Sequence, residues 1–251
     1  MLKAVIFDLF NTLTCHDYAR DDVPWTADVL GVPRGLWTSA LTESSGPRLT
    51  GAIREPIEIM RQLARTIDAA VSDELLAAAA LSHQQIFARV LGSVPLANVE
   101  ILQKMRGMGL HTAVLSNCDC SEIEAWGGSP LHGFLDVEVF SCEVGFAKPH
   151  PEIYRECLRR LKVTPGECLF VGDGGHGELA GARAVGLHTV LFSGVIQHTW
   201  PERIPALLAD ADSHVSSLDQ LFSMPMFCEL RSQTDAYSMQ LMLSVRRSDF
   251  N

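Results

Sequence analysis

Five short runs constrain the fold of this chain more than any other feature. They are "AVIF" at 4–7, "TAVLS" at 112–116, "VEVFS" at 137–141, "CLFVG" at 168–172 and "HTVLF" at 188–192. Each is rich in β-branched and aromatic residues, and each is apolar at consecutive rather than alternate positions. A strand of that composition needs cover on both faces, as in a parallel sheet packed between layers of helices. Helical periodicity fills the intervals: 99–108, stopped by Gly109; 152–161; and 178–185, stopped by Gly186. Strand–helix alternation of this kind predicts an α/β protein with a doubly wound parallel sheet. Ligands then gather beyond the carboxyl ends of the strands.

One interval breaks the alternation. From Thr14 to about Pro95 no strand is legible, whereas "EPIEIMRQLARTI" and "SDELLAAAALSHQQIFARVL" both carry helical periodicity. Ser72, ahead of Asp73, Glu74 and an alanine-rich run, has the chemistry of a helix N-cap. A structureless loop of this length inside a compact domain is implausible. The expectation is a Rossmann-like core made of 1–13 and 96–223, with a small helical cap, 14–95, inserted after the first strand. The stretch 213–223 reads as a closing turn and helix. The extension 224–251 has no clear period and receives no role.

The chain has 251 residues and a net charge of −10, which argues against a nucleic-acid partner because such proteins present basic faces. No segment reaches the ~20 apolar residues of a membrane span, and the first apolar run ends at Asp8, too soon for a signal peptide. Seven cysteines, an odd number without framework spacing, read as reduced thiols. The pair Cys118 and Cys120 lacks a second pair at metal spacing. These features predict a cytoplasmic protein, a monomer or homodimer, with a small-molecule substrate and with neither nucleic acid nor membrane as partner.

Four of the strands lead into polar groups with chemical capability. The first ends on Asp8, the second on Ser116-Asn117. The third leads into "SCEVGFAKPHPEIY", which carries Lys148. The fourth leads into "FVGDGGHGELAGARAVG", with Asp173 and then Glu178. Singly, each has an ordinary reading as a cap, a turn residue or a solvated lysine. In one chain, in this order and at strand ends, they would meet at one edge of the sheet.

The segments "FDLFNTL", "VLSN", "AKPHPEIY" and "VGDGGHGELAGARAVGL" together resemble the haloacid dehalogenase-like hydrolase superfamily, over about residues 2–221. The position of the insertion resembles the subclass with a helical type-1 cap. The resemblance implies that Asp8 is the nucleophile and forms a covalent aspartyl intermediate, splitting one hard displacement into two easier ones. It implies that Ser116 bonds the transferring group and that Lys148 neutralises developing charge. It further implies that Thr12, Asn117 and Phe10 contact substrate, and that Asp8, the Phe10 carbonyl, Asp173 and Glu178 hold Mg²⁺. Phosphoryl transfer needs such a set, since a carboxylate approaches a phosphate only when cations screen the site. A few oxygen ligands suffice for Mg²⁺.

Phe10 departs from the phosphatase pattern, which has a second Asp two residues after the nucleophile. Loss of a general acid–base typically costs about 10²–10⁴ in rate. His16 and His176 are candidate replacements. The resemblance leaves three alternatives beside the Mg²⁺-dependent phosphatase. A 2-haloacid dehalogenase needs no acid at this position, and such enzymes carry an aromatic residue there. They work without metal, have Ser in place of Asp173, and use a cap arginine, for which Arg20, Arg34, Arg48 and Arg54 are candidates. Phosphonate cleavage needs a cap lysine, and the four lysines, Lys3, Lys104, Lys148 and Lys162, all lie outside the insertion. A non-catalytic binder would not need the full set of Asp8, Ser116, Lys148 and Asp173. Trp25, Trp37 and Phe87 read as cap core, any one of which would touch substrate if the cap closes over the site.

Overall fold

The computed structural model describes residues 1–15, 23–43, 45–67 and 70–230. Six parallel strands form one sheet: β1 (Ala4–Phe7), β2 (His111–Ser116), β3 (Val137–Phe140), β4 (Cys168–Gly172), β5 (His188–Phe192) and β6 (Ser213–Val215), in the order β3-β2-β1-β4-β5-β6. β1 therefore sits mid-sheet, and the order reverses beside it, the topological switch point where open α/β sheets bind ligands.

The consecutive apolar residues of β1 serve two different cores. Val5 and Phe7 point to one face, packed with Leu102 and Met105 of the helix Leu96–Gly107. Ala4 and Ile6 point to the other, packed with Ile153, Tyr154 and Leu158 of the helix Pro151–Leu161 and with Leu179 of the helix Glu178–Ala184. The two-residue period of a strand sorts them, and burial on both sides explains why the run could not alternate in polarity.

Of the helices between β1 and β2 among the described residues, the first five form the cap: α1 (Thr26–Leu30), α2 (Arg34–Glu43), α3 (Ser45–Leu49), α4 (Pro56–Thr66) and α5 (Asp73–Gly92). They bury a third cluster, with Trp37, Ile59, Met60, Leu63 and Leu76 near its centre. The Ser72 hydroxyl accepts from the Leu75 amide at 3.3 Å, so α5 starts where the sequence predicts. The later helices are α6 (Leu96–Gly107), α7 (Ser141–Val144), α8 (Pro151–Leu161), α9 (Glu178–Ala184), α10 (Ile196–Thr199) and α11 (Ile204–Leu208). No single helix among the described residues is long and apolar enough to cross a membrane.

The stretch 213–223 differs from its expected closing turn and helix. It opens with the edge strand β6, whose Val215 pairs with Phe192, and then makes a 3₁₀ turn at Leu218–Ser223. A three-residue strand carrying Ser and His has no apolar run to announce it. Ser141 likewise begins α7 rather than ending β3. In the extension, Phe227 is fully buried against Phe222, ring centroids 5.6 Å apart; 231–251 lie outside the described residues.

Candidate active site

Register brings the polar strand ends together. Phe7 pairs with Val114 of β2 and with Val171 of β4, so Asp8, Ser116 and Asp173 emerge within two residues of one another along the same edge. The Asp8 amide extends the ladder by donating to the Val171 carbonyl at 2.9 Å. Its carboxylate then points beyond the sheet. Oδ1 accepts from Lys148 Nζ at 2.5 Å, and Oδ2 accepts from the Thr12 hydroxyl at 3.1 Å.

Lys148 Nζ also donates to Glu178 Oε2 at 2.5 Å. Burial disfavours its charge, but Asp8 and Glu178 outweigh burial and hold the ammonium above the usual lysine range. The Asn117 side chain fixes the lysine backbone, its Oδ1 accepting from the Lys148 amide at 2.7 Å and its Nδ2 donating to the Lys148 carbonyl at 2.9 Å.

Three carboxylates, Asp8, Asp173 and Glu178, bring ligand oxygens within 4.8 Å of one another, all buried. Burial, and then the Asp8 charge, raise the pKa of Asp173 and push that of Glu178 well above the carboxylate range. Asp173 is held from the side by the Gly175 amide at 2.8 Å and by Asn11 Nδ2 at 3.2 Å. The glycine-rich turn is required on geometric grounds. A Cβ on Gly172 would lie 2.1 Å from Glu178 Oε1, and Gly174 has a φ of +82° in the left-handed region that suits glycine. His176, at φ 52°, takes the same region without being glycine.

Three buried oxygen donors with one lysine are an excess of negative charge of the kind a hard divalent cation relieves, so the donor set fits Mg²⁺. Both Glu178 oxygens are engaged, with Lys148 and with the Gly174 amide at 3.0 Å, and so are those of Asp8, with Lys148 and Thr12, and of Asp173, with Gly175 and Asn11; an ion held by the trio would share or displace these contacts.

These groups form the floor of a cavity of about 810 Å³ roofed by the cap; Asp8, Phe10, Asn117, Lys148, Asp173 and Glu178 all line it. Ser116 and Thr12 do not contribute to its wall. Ser116 is fully buried, its hydroxyl 3.4 Å from the Asn117 carbonyl, and Thr12 acts on Asp8. Trp25, Trp37 and Phe87 all line the cavity, and of the three Trp37 also packs in the cap cluster. Phe10 meets Phe87 edge to face at 5.2 Å, so its ring closes the cap against the core.

The histidine and arginine candidates separate. His176 lines the cavity, and burial together with Lys148 lowers its pKa. His16 and Arg20 lie outside the described residues. Arg34 is paired with Asp28, and Arg54 donates to the Cys142 carbonyl at 2.8 Å. Arg48 is buried between Asp119 and Glu122 at 3.1 and 3.3 Å. Sequence reasoning missed this cluster and missed His83, whose Nε2 lies 3.6 Å from Glu122 without a hydrogen bond. The signal was present in "DCSE", an Asp–Glu pair at capping-box spacing. His83, Asp119 and Glu122 have the proximity of a metal set, but Arg48 already supplies the cation. Cys118 is buried in the sheet core rather than facing the cavity, and burial raises its thiol pKa, so it has no reactive character.

A family model described as haloacid dehalogenase-like hydrolase matches residues 2–186. A glyceraldehyde 3-phosphate phosphatase of Methanopyrus kandleri is 30% identical over 195 residues, covering 76% of this chain and 83% of that one. Haloacid dehalogenase-like hydrolase domain-containing protein 3 of Mus musculus is 38% identical over 93 residues, only 37% of each chain. Among solved structures, a dehalogenase superposes with a TM-score of 0.63 at 25% identity, covering 88% of this chain and 96% of its own.

Proposed function

The chain belongs to the haloacid dehalogenase-like hydrolases, and on that premise we propose that it is a Mg²⁺-dependent phosphatase acting on a small phosphorylated metabolite. The observation that carries the reading is the buried trio Asp8, Asp173 and Glu178 beside one lysine. A metal-free displacement has no use for Asp173 so close to the nucleophile, where burial and the Asp8 charge oppose ionisation of Asp173. The 30% identity to a glyceraldehyde 3-phosphate phosphatase supports the same reaction class.

In this reading an Asp8 oxygen attacks phosphorus, the P–O bond to the leaving group breaks and the departing oxygen takes a proton from water, and a second water then hydrolyses the aspartyl phosphate to free Asp8 and inorganic phosphate. Lys148 neutralises the nucleophile's neighbourhood and the charge gathered in the transition state. Glu178 fixes the ammonium, Asn117 fixes the lysine backbone, and Thr12 orients the Asp8 carboxylate. Ser116 would bond the transferring group only once its buried hydroxyl leaves the Asn117 carbonyl and reaches the cavity. Asp8, the Phe10 carbonyl, Asp173 and Glu178 would hold Mg²⁺. When bound, the ion screens phosphate oxygens from the carboxylates. The same proposal divides the chain into a core, 1–13 with 96–223, a cap, 14–95, and an extension, 224–251.

Haloacid dehalogenation is the second reading, favoured by one residue. Phe10 offers no proton, and a departing halide needs none. The deciding experiment is phosphate release from a panel of phosphoesters with Mg²⁺ and with EDTA, beside halide release from 2-chloropropionate without metal. Mg²⁺-dependent phosphate release supports the first reading; halide release alone overturns it.

A further inference from the structure

The catalytic groups occupy only the floor of the cavity. At about 810 Å³ it falls within the roughly 300–1,000 Å³ that enclose a drug-sized ligand, and a three-carbon phosphate would leave most of it wet. The cap side of the wall is largely apolar, with Trp25, Trp37, Leu41, Leu49, Ile86 and Phe87, and His83 is set among them. Thr38 and Thr42 also face the cavity, but their hydroxyls donate back to the Arg34 and Thr38 carbonyls of α2, at 3.0 and 3.2 Å. They therefore present few donors to a ligand.

The arginines of the cap wall already face acids, although Arg48 Nε and His83 Nε2, both buried, have no hydrogen-bond partner among the described residues. Arg34 lies 2.6 Å from Asp28. Arg48 joins Asp119 and Glu122, and its Nη2 donates to the Leu41 carbonyl at 2.7 Å. A carboxylate or second phosphate on the substrate would have to displace buried acids from Arg48, which is costly in a desolvated setting, or draw Arg34 from its exposed partner Asp28 at the edge of the cavity. Arg203, at the exposed mouth on the core side, lies over the Trp200 ring at 5.8 Å, where water can serve its charge.

From the size of the cavity, its aromatic cap wall and its matched arginines, we infer that the substrate is a phosphomonoester of a bulky, uncharged, apolar or aromatic alcohol, selected by the wall that Trp37 and Phe87 build. The inference rests on the phosphatase reading for the reacting end, and goes beyond it for the rest of the substrate.

The test is a series of esters whose leaving alcohols have near-equal acidity: ethyl, phenylethyl, naphthylethyl and carboxyethyl phosphate, with the full chain and Mg²⁺. We expect kcat/KM to rise roughly ten-fold or more from ethyl to naphthylethyl phosphate, and carboxyethyl phosphate to show no advantage over ethyl. Trp37→Ala, or Phe87→Leu should the first fail to fold, lowers the naphthylethyl-to-ethyl ratio, a quantity independent of the fraction of active protein. A flat series, or a preference for carboxyethyl phosphate, overturns the inference. Should no ester be hydrolysed, the phosphatase reading falls, and binding of the matching phosphonates decides the substrate class. Tighter binding of the naphthylethyl compound by a similar factor supports it, and equal affinities overturn it.

Discussion

Asn117 grips Lys148 by both of its backbone polar groups, through hydrogen bonds of 2.7 and 2.9 Å. A residue after a strand end thus sets the height of a lysine whose amine lies 2.5 Å from the nucleophile. Asn117→Ala removes both bonds and leaves two largely buried backbone groups short of partners, each worth about 1–3 kcal/mol. Displacement of the ammonium by a fraction of an ångström is expected to lower kcat by roughly 10²-fold. Steady-state kinetics beside thermal melting checks this; an unchanged kcat would remove Asn117 from the account.

Gly172→Ala tests the other side of the lysine. The added methyl would stand 2.1 Å from Glu178 Oε1, so Glu178 must leave its place between Lys148 and the Gly174 amide. Overpacking of this kind costs about 1–3 kcal/mol. The expected result is a loss of activity larger than the fall in melting temperature explains. Wild-type kcat in the variant would mean that the Glu178–Lys148 contact is dispensable.

Arg48 joins the cap to the core through Asp119 and Glu122, both buried. Arg48→Met leaves two buried carboxylates without their cation, at a cost of about 3–5 kcal/mol. Adding Asp119→Asn and Glu122→Gln should recover most of that loss, because the penalty comes from the orphaned charges. Urea unfolding of the single and triple variants measures it. Equal stability of Arg48→Met and wild type would contradict the prediction.

Phe10→Asp restores a carboxyl where a leaving alcohol needs a proton. General acid catalysis contributes about 10²–10⁴, offset here by loss of the edge-to-face contact with Phe87. Phosphate release from an alkyl ester is expected to rise by roughly ten-fold or more, with little change for an aryl ester whose leaving group departs unaided. Equal gains for both esters would point to binding rather than proton transfer.

The sheet and the site floor were legible because their signals are local. A run such as 4–7, short, β-branched and aromatic and followed by a turn, reads as a strand covered on both faces, and the groups that follow the strand ends are placed by parallel register. What escaped was decided between distant segments. Arg48 and His83 acquire meaning only when α3 and α5 fold over the loop after β2, and no spacing in the sequence states that approach. β6 escaped for a different reason: an edge strand of three residues borrows its order from β5. Glu178, read as a metal ligand, does join Asp8 and Asp173 in one buried trio; its further contacts with Lys148 and the Gly174 amide follow from where α9 begins, a detail of helix placement rather than of composition.

The most direct measurement is phosphate release by wild type and Asp8→Asn from the same ester, each with Mg²⁺ and with EDTA. The account predicts release by the wild type with Mg²⁺ only, reduced by roughly 10⁴-fold or more in Asp8→Asn. Release that survives EDTA, or that persists in Asp8→Asn, would contradict the claim that a buried carboxylate beside Lys148 attacks phosphorus with a metal ion at Asp173.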